Sequence, residues 1–123
     1  MISHVNCANL YVRDQLCSLA FYVDTLGWEK RTDAIMSDGT RWLDVAPPRA
    51  RTRVALIVPQ YGYVFPPTAA APCTLTTEDA GATFHNLKGR GVEVTEPVVE
   101  LWATYLTITD PDGYIYVVGE NQD

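Results

Sequence analysis

The sequence predicts an α+β fold: two βαβββ modules from an internal duplication, with curved mixed sheets forming a cup and the helices outside. Three observations carry this. A shift of 64 residues lays Leu16, Ala20, Val23 and Gly27 onto Ala80, Phe84, Leu87 and Gly91. The order of elements repeats as well (strand, helix, three strands), and an internal repeat decides the architecture. Finally, one short helix on a four-stranded sheet covers only one of its faces, so neither half buries its own core. The uncovered faces are expected to build the cup, whose inside is the natural ligand site.

Ile2 to Val12 reads as the first strand, rich in β-branched and aromatic residues. Asp14 is placed to cap a helix. Leu16, Leu19, Ala20 and Val23 form its predicted buried stripe, and Gly27 ends it. Strands follow at Trp28 to Thr32, Arg41 to Val45 and Thr52 to Val58, with turn signals at Asp38-Gly39 and Pro47-Pro48 between them. Module one is thus about 1–59. Gln60 to Ala71 reads as a linker that holds Tyr61, Tyr63 and Phe65. Module two, about 72–120, opens with a strand over Cys73 to Thr77. Glu78 and Asp79 can start its helix, in which Ala80, Phe84 and Leu87 recur on one face. A short strand over Val92 to Val94 stops at Pro97. Leu101 to Thr109 and Tyr114 to Val118 close the chain as a hairpin around Asp110-Pro111-Asp112-Gly113, where Pro111 pre-sets the backbone and Gly113 supplies positive φ.

The bulk properties are those of one globular domain: 123 residues, 47% hydrophobic, 20% charged. Net charge is -6 and there is no basic cluster, which argues against nucleic acid as a partner. No apolar run is long enough to span a bilayer, and no secretory signal opens the chain, so neither membrane nor export is expected and the default location is the cytoplasm. Cys7, Cys17 and Cys73 are odd in number and far apart, against a disulfide framework or a structural zinc site.

Several residues carry a resemblance: Val12-Arg13-Asp14 with Phe21-Tyr22-Val23-Asp24-Thr25-Leu26-Gly27-Trp28 in the first half, and Leu87-Lys88-Gly89-Arg90-Gly91-Val92 with Asp110-Pro111-Asp112-Gly113 in the second. On these the chain resembles the vicinal oxygen chelate superfamily, which groups glyoxalase I, bleomycin-resistance proteins and extradiol dioxygenases. The resemblance implies the paired βαβββ fold and a homodimer. In the superfamily's enzymes it implies one divalent metal held by four strand residues. Carried over by counting from Asp14, Glu78 and the Asp-Pro-Asp-Gly turn, those four positions are Cys7, Ile57 (or Leu56), Ala71 and Val117. Three have no donor atom, so no metal and no other cofactor is expected.

The remaining candidates are weighed one by one. His4 is a displaced ligand or an ordinary strand-end histidine, and His85 lies off the apolar stripe of its helix. Cys7 has no histidine in the pattern to make a thiolate and reads as a small apolar filler facing the cup. Glu100 and Glu120 are the acids available as stand-in ligands or bases. Asp44 is a charge in an apolar strand: alternation assigns it to the solvent side, or turns it into the cup, where a cation would suit it. The aromatics Trp42, Tyr63, Phe65, Trp102 and Tyr105 are expected to rim the cup and stack on a planar ligand, with Cys7 and Asn9 on the same inner surface. The function expected is binding or sequestration of a small organic molecule, aromatic or a natural product, as the bleomycin-resistance branch of the family does. The alternative is a metal-dependent lyase, isomerase or dioxygenase whose ligands are displaced to residues such as His4, Glu100 and Glu120.

Overall fold

A computed structural model describes residues 1–121. The chain divides into two compact units, Met1–Phe65 and Pro66–Asp123. The first unit holds β1 (Cys7–Tyr11), α1 (Gln15–Ala20) continued by a π-helical turn (Phe21–Thr25), then β2 (Glu29–Ile35), β3 (Arg41–Ala46) and β4 (Arg53–Ile57). Its sheet runs β1-β4-β3-β2, parallel between β1 and β4 and antiparallel elsewhere. The second unit holds β5 (Ala69–Ala70), β6 (Leu75–Thr77), α2 (Ala80–Gly89), β7 (Glu93–Val94), β8 (Val98–Val99), β9 (Thr104–Thr109) and β10 (Tyr114–Glu120).

The second sheet repeats the first once two broken strands are recognised. β5 and β6 both pair in parallel with β10, β5 at Tyr114 and Ile115 and β6 from Val118 to Glu120. β7 and β8 both pair antiparallel with β9, and Glu96-Pro97 lies between them. Proline cannot donate to a ladder, so a strand interrupted there must sit at an edge. Read this way the order is β5/β6-β10-β9-β7/β8, the same path as β1-β4-β3-β2. The stretch read as a linker holding Tyr61, Tyr63 and Phe65 also contributes β5, and the strand expected over Ile2 to Val12 is shorter, since residues before Cys7 are exposed coil.

Helix one corrects the sequence reading. Its buried side chains are Ser18 and Tyr22, while Leu16 is 60% exposed. Leu16, Leu19, Ala20 and Val23 instead line an outward-facing groove with Asp24 and Lys30. Two causes are visible. Asp14 caps the helix by accepting from the backbone N–H groups of Leu16 and Cys17, at 2.9 and 3.1 Å. That start lets Gln15 reach inward and donate to the carbonyls of Arg41 and Leu56, at 2.9 and 2.8 Å. The π-helical turn then adds a residue: thirteen positions separate Asp14 from Gly27, but only twelve separate Asp79 from Gly91. A π-turn absorbs such an insertion without breaking the helix. The two helices are thus related by 65 residues at their N-caps and by 64 at their terminal glycines.

Helix two follows expectation. Ala80, Phe84 and Leu87 are buried, and Asp79 caps it by accepting from Ala82 N–H at 2.9 Å. In each unit one sheet face is packed: Leu10, Leu43, Val45, Val54 and Leu56 in the first, Leu106, Ile108, Tyr114, Tyr116 and Val118 in the second.

The β9–β10 turn is held by the buried Asp110. Its Oδ1 accepts from the N–H groups of Asp112 and Tyr114, both at 2.9 Å, and the Gly113 N–H donates to its carbonyl at 3.0 Å. Gly113 has φ +89°, and a Cβ there would lie 2.6 Å from the Pro67 carbonyl oxygen. Backbone conformation and space both demand glycine. Gly113→Ala is expected to cost about 2 kcal/mol or more, from strain at positive φ plus the clash. Gly89→Ala, where a Cβ meets nothing, is expected to be neutral or stabilising by up to about 1 kcal/mol. Urea denaturation of the two variants beside the parent checks both; equal loss in both would show that the Pro67 contact does not matter.

Candidate functional site

Strand pairing fixes which side chains share the face of the first sheet opposite Leu10, Leu43, Val45, Val54 and Leu56. Asn9 lies opposite Ala55, and Ala55 opposite Asp44, which in turn faces Thr32. Cys7 lies opposite Arg53, and Tyr11 opposite Ile57. Alternation adds Trp42 to the same face. This face therefore carries Cys7, Asn9, Tyr11, Trp42, Asp44, Arg53 and Ile57.

Asp44 is its electrostatic centre. It is 1% exposed, which overturns the expectation of a solvent-side carboxylate. The Trp42 indole N–H donates to its Oδ2 at 3.0 Å, and the Arg53 guanidinium stands 3.6 Å from the same oxygen. Arg53 is itself held, donating to Thr32 Oγ1 at 3.4 Å and to the Asn6 side-chain oxygen. Asp44 Oδ1 is buried and has no hydrogen-bond partner among the described residues. The cation imagined for Asp44 is thus already supplied from within the chain by Arg53. Beside them, burial pushes the Cys7 thiol above its ordinary range and the Asp44 charge adds to the effect, against a smaller opposing pull from Arg53. A thiol held protonated is a poor nucleophile.

The aromatic part of the site lies at the end of β1 and β4. A turn in which the Tyr63 N–H donates to the Gln60 carbonyl at 3.2 Å, with Gly62 at φ +93°, brings Tyr63 back onto the strand. Tyr11 and Tyr63 pack edge to face with centroids 5.0 Å apart, and Tyr63 and Phe65 at 4.9 Å. The Arg13 guanidinium caps the row, 4.2 Å from the Phe65 centroid. Next to this row is a concavity of about 520 Å³ walled by Tyr11, Ile57, Val58, Pro59, Gln60, Tyr61 and Tyr63. Of the residues expected at the site, Cys7, Asn9 and Trp42 thus share one sheet face, and Tyr63 and Phe65 join it through Tyr11. Tyr11, Arg13 and Arg53 were not anticipated. Counting two residues on from Asn9 would have found Tyr11; Arg53 needs the strand register.

Trp102 and Tyr105 belong to the second unit. Trp102 is 72% exposed in the bend before β9. Tyr105 lies opposite Gly119 and shares the unpacked face of its sheet with Thr107 and Val117. A concavity of about 480 Å³ there is lined by Thr74, Leu75, Thr76, Ala103, Tyr105, Val117, Gly119, Glu120 and Asn121.

The positions where the family's enzymes hold metal do not fit one. Cys7 and Ile57 share the face just described, Val117 lies on the unpacked face of the second sheet, and Ala71 follows β5, its N–H donating to the Ile115 carbonyl at 2.9 Å. The helix cap is Asp79 rather than Glu78, and counting from it moves the third position to Pro72, which also lacks a donor atom. A divalent ion needs three or four N, O or S ligands. The proposed substitutes do not supply them. The Glu120 carboxylate accepts from the Ala80 N–H at 3.0 Å and so serves the start of α2. His4 is in the exposed N-terminal segment, bonded to Ser3, and Glu100 is exposed before the bend at Leu101. Among the described residues no three His, Cys, Asp or Glu side chains form a group that could hold a metal ion. None of their helices is long and apolar enough to cross a membrane.

Known proteins agree with this fold over nearly its whole length. A crystal structure of a superfamily member from Sphaerobacter thermophilus DSM 20745 superposes with a TM-score of 0.90 at 33% identity, covering 98% of both chains. TnmS3, an antibiotic binding protein from Streptomyces sp. CB03234, superposes with a TM-score of 0.85, also at 33% identity and 98% coverage of each. The uncharacterized protein YetH of Bacillus subtilis (strain 168) is 30% identical over 121 residues, 98% of this chain and 100% of its own length. Residues 2–118 match the model of the Glyoxalase/Bleomycin resistance protein/Dioxygenase superfamily, and the chain belongs to that family.

Proposed function

We propose that this protein binds and sequesters a small organic molecule without a metal, acting as a homodimer whose aromatic-lined cup holds the ligand. The observation that carries the reading is Ile57. At a position where the family's enzymes present a metal ligand, this chain has a hydrocarbon side chain, set in a concavity with Tyr11 and Tyr63. An apolar wall with flanking aromatic rings favours a planar or apolar ligand through area burial and stacking. The antibiotic-binding relative, at 33% identity and the same fold, supports an antibiotic or similar natural product as the class. Trp42, Trp102, Tyr105, Tyr63, Phe65, Cys7 and Asn9 remain the proposed contacts, to which Tyr11 is added. The exposed apolar groove of Leu16, Leu19, Ala20 and Val23 supports association, because a lone chain gains by covering such a surface.

Metal content separates this reading from an enzyme. After chelation, re-equilibration with Zn, Ni, Mn and Fe(II) in turn, and desalting, less than roughly a tenth of an equivalent per chain is expected, since among the described residues no three His, Cys, Asp or Glu side chains converge. Near one equivalent of any metal would sink the reading. Titration with bleomycin and with planar polycyclic antibiotics, followed by tryptophan emission, is expected to give saturable binding that Tyr63→Ala weakens roughly tenfold through lost stacking and burial. Sedimentation at one chain's mass would remove the dimer. Alkylation by iodoacetamide at pH 8 should modify exposed Cys17 well before Cys7, whose thiol burial holds protonated; fast modification of Cys7 would reopen a covalent mechanism.

A further inference from the structure

We infer that Asp44 is the polar anchor of the ligand site, and that the ligand offers it a neutral hydrogen-bond donor, a hydroxyl or N–H on an aromatic ring. This rests on the reading of the chain as a small-molecule binder. The first reason is the orphan oxygen. Buried carboxylate oxygens are almost always satisfied, yet Asp44 Oδ1 has no partner among the described residues while Oδ2 has two neighbours. A bound donor recovers the hydrogen bond that the unliganded protein forgoes. The second reason is position. Asp44 lies across Ala55 from Asn9 on the sheet face shared with Tyr11 and Ile57, and the intervening alanine contributes only a methyl group. The third is charge. Arg53, 3.6 Å from Oδ2, already balances the carboxylate, so a second cation would meet a neutral pair and an uncharged donor is the better match.

Trp42 is the positioning residue. Its indole N–H is tied to Oδ2 at 3.0 Å, which holds the carboxylate with Oδ1 left for the ligand's donor, and its ring lies on the same sheet face. Asp44 specifies where the donor sits, and Trp42 takes the ring that carries it.

The test uses a matched pair, 2-hydroxyanthraquinone and 2-methoxyanthraquinone, with Kd measured by calorimetry on the full chain and on Asp44→Asn. In the variant the amide oxygen keeps the Trp42 bond and the NH₂ replaces the orphan acceptor with a donor. The parent is expected to prefer the phenol by roughly tenfold or more, as a hydrogen bond to a charged acceptor warrants, and the variant to fall to within about twofold. Should the variant fail to fold by circular dichroism, the parent's own preference decides. A ratio near one in the parent, or an unchanged preference in a folded variant, overturns Asp44 as the anchor and leaves sequestration standing. Binding of neither probe by the parent overturns both.

Discussion

A strand with a partner on each side has its backbone donors and acceptors committed in both directions, so its register cannot slip without breaking two ladders at once. β10 is such a strand, with β9 on one side and β5 and β6 on the other. What fixes its register is the turn before it. The Asp110 carboxylate takes two backbone N–H groups of the turn, and Gly113 lets the chain pass within touching distance of the Pro67 carbonyl. Tyr114, Tyr116 and Val118 are thereby committed to the packed face, and Ile115 and Val117 to the other. Tyr105, Thr107 and Val117 share that other face because of this register.

Duplication explains the architecture but not its details. The two sheets follow one path, yet one helix absorbs an extra residue in a π-turn and the second sheet carries two interrupted edge strands. Those differences are where reading from sequence alone succeeded or failed. Helix two keeps a clean i, i+4, i+7 stripe, so Ala80, Phe84 and Leu87 could be assigned to the core from spacing. Helix one does not. Leu16, Leu19 and Val23 look like a core stripe, but Gln15 reaching two carbonyls and the π-turn put Ser18 and Tyr22 inward. Hydrophobicity has no term for a helix whose start is set by a polar anchor.

The site was legible in part for a similar reason. Alternation along β1 relates Cys7, Asn9 and Tyr11, because it is a local property. The Trp42–Asp44–Arg53 group depends on the pairing of Asp44 with Ala55, a contact between strands, and no spacing rule gives it. The Tyr63 ring reaches Tyr11 only through the turn at Gly62. The family's metal positions could be counted because the turns and caps that anchor the count are strong local signals. At those positions isoleucine, alanine and valine carry no donor atom while the strands beneath keep their pairing. Function resides in the side chains of the face rather than in the fold.

The pairing of the first strands of each unit with the last has a consequence for the order of synthesis. β1 meets β4, so the first sheet can close once residue 57 has left the ribosome. β5 and β6 have no such early partner: they pair with β10, which ends at Glu120. The first sheet can therefore close while the second unit is being made, and the second sheet must wait for Glu120. During that interval the nascent chain exposes strands without partners, and a truncation that removes only the final strand disables the whole second sheet rather than trimming its edge.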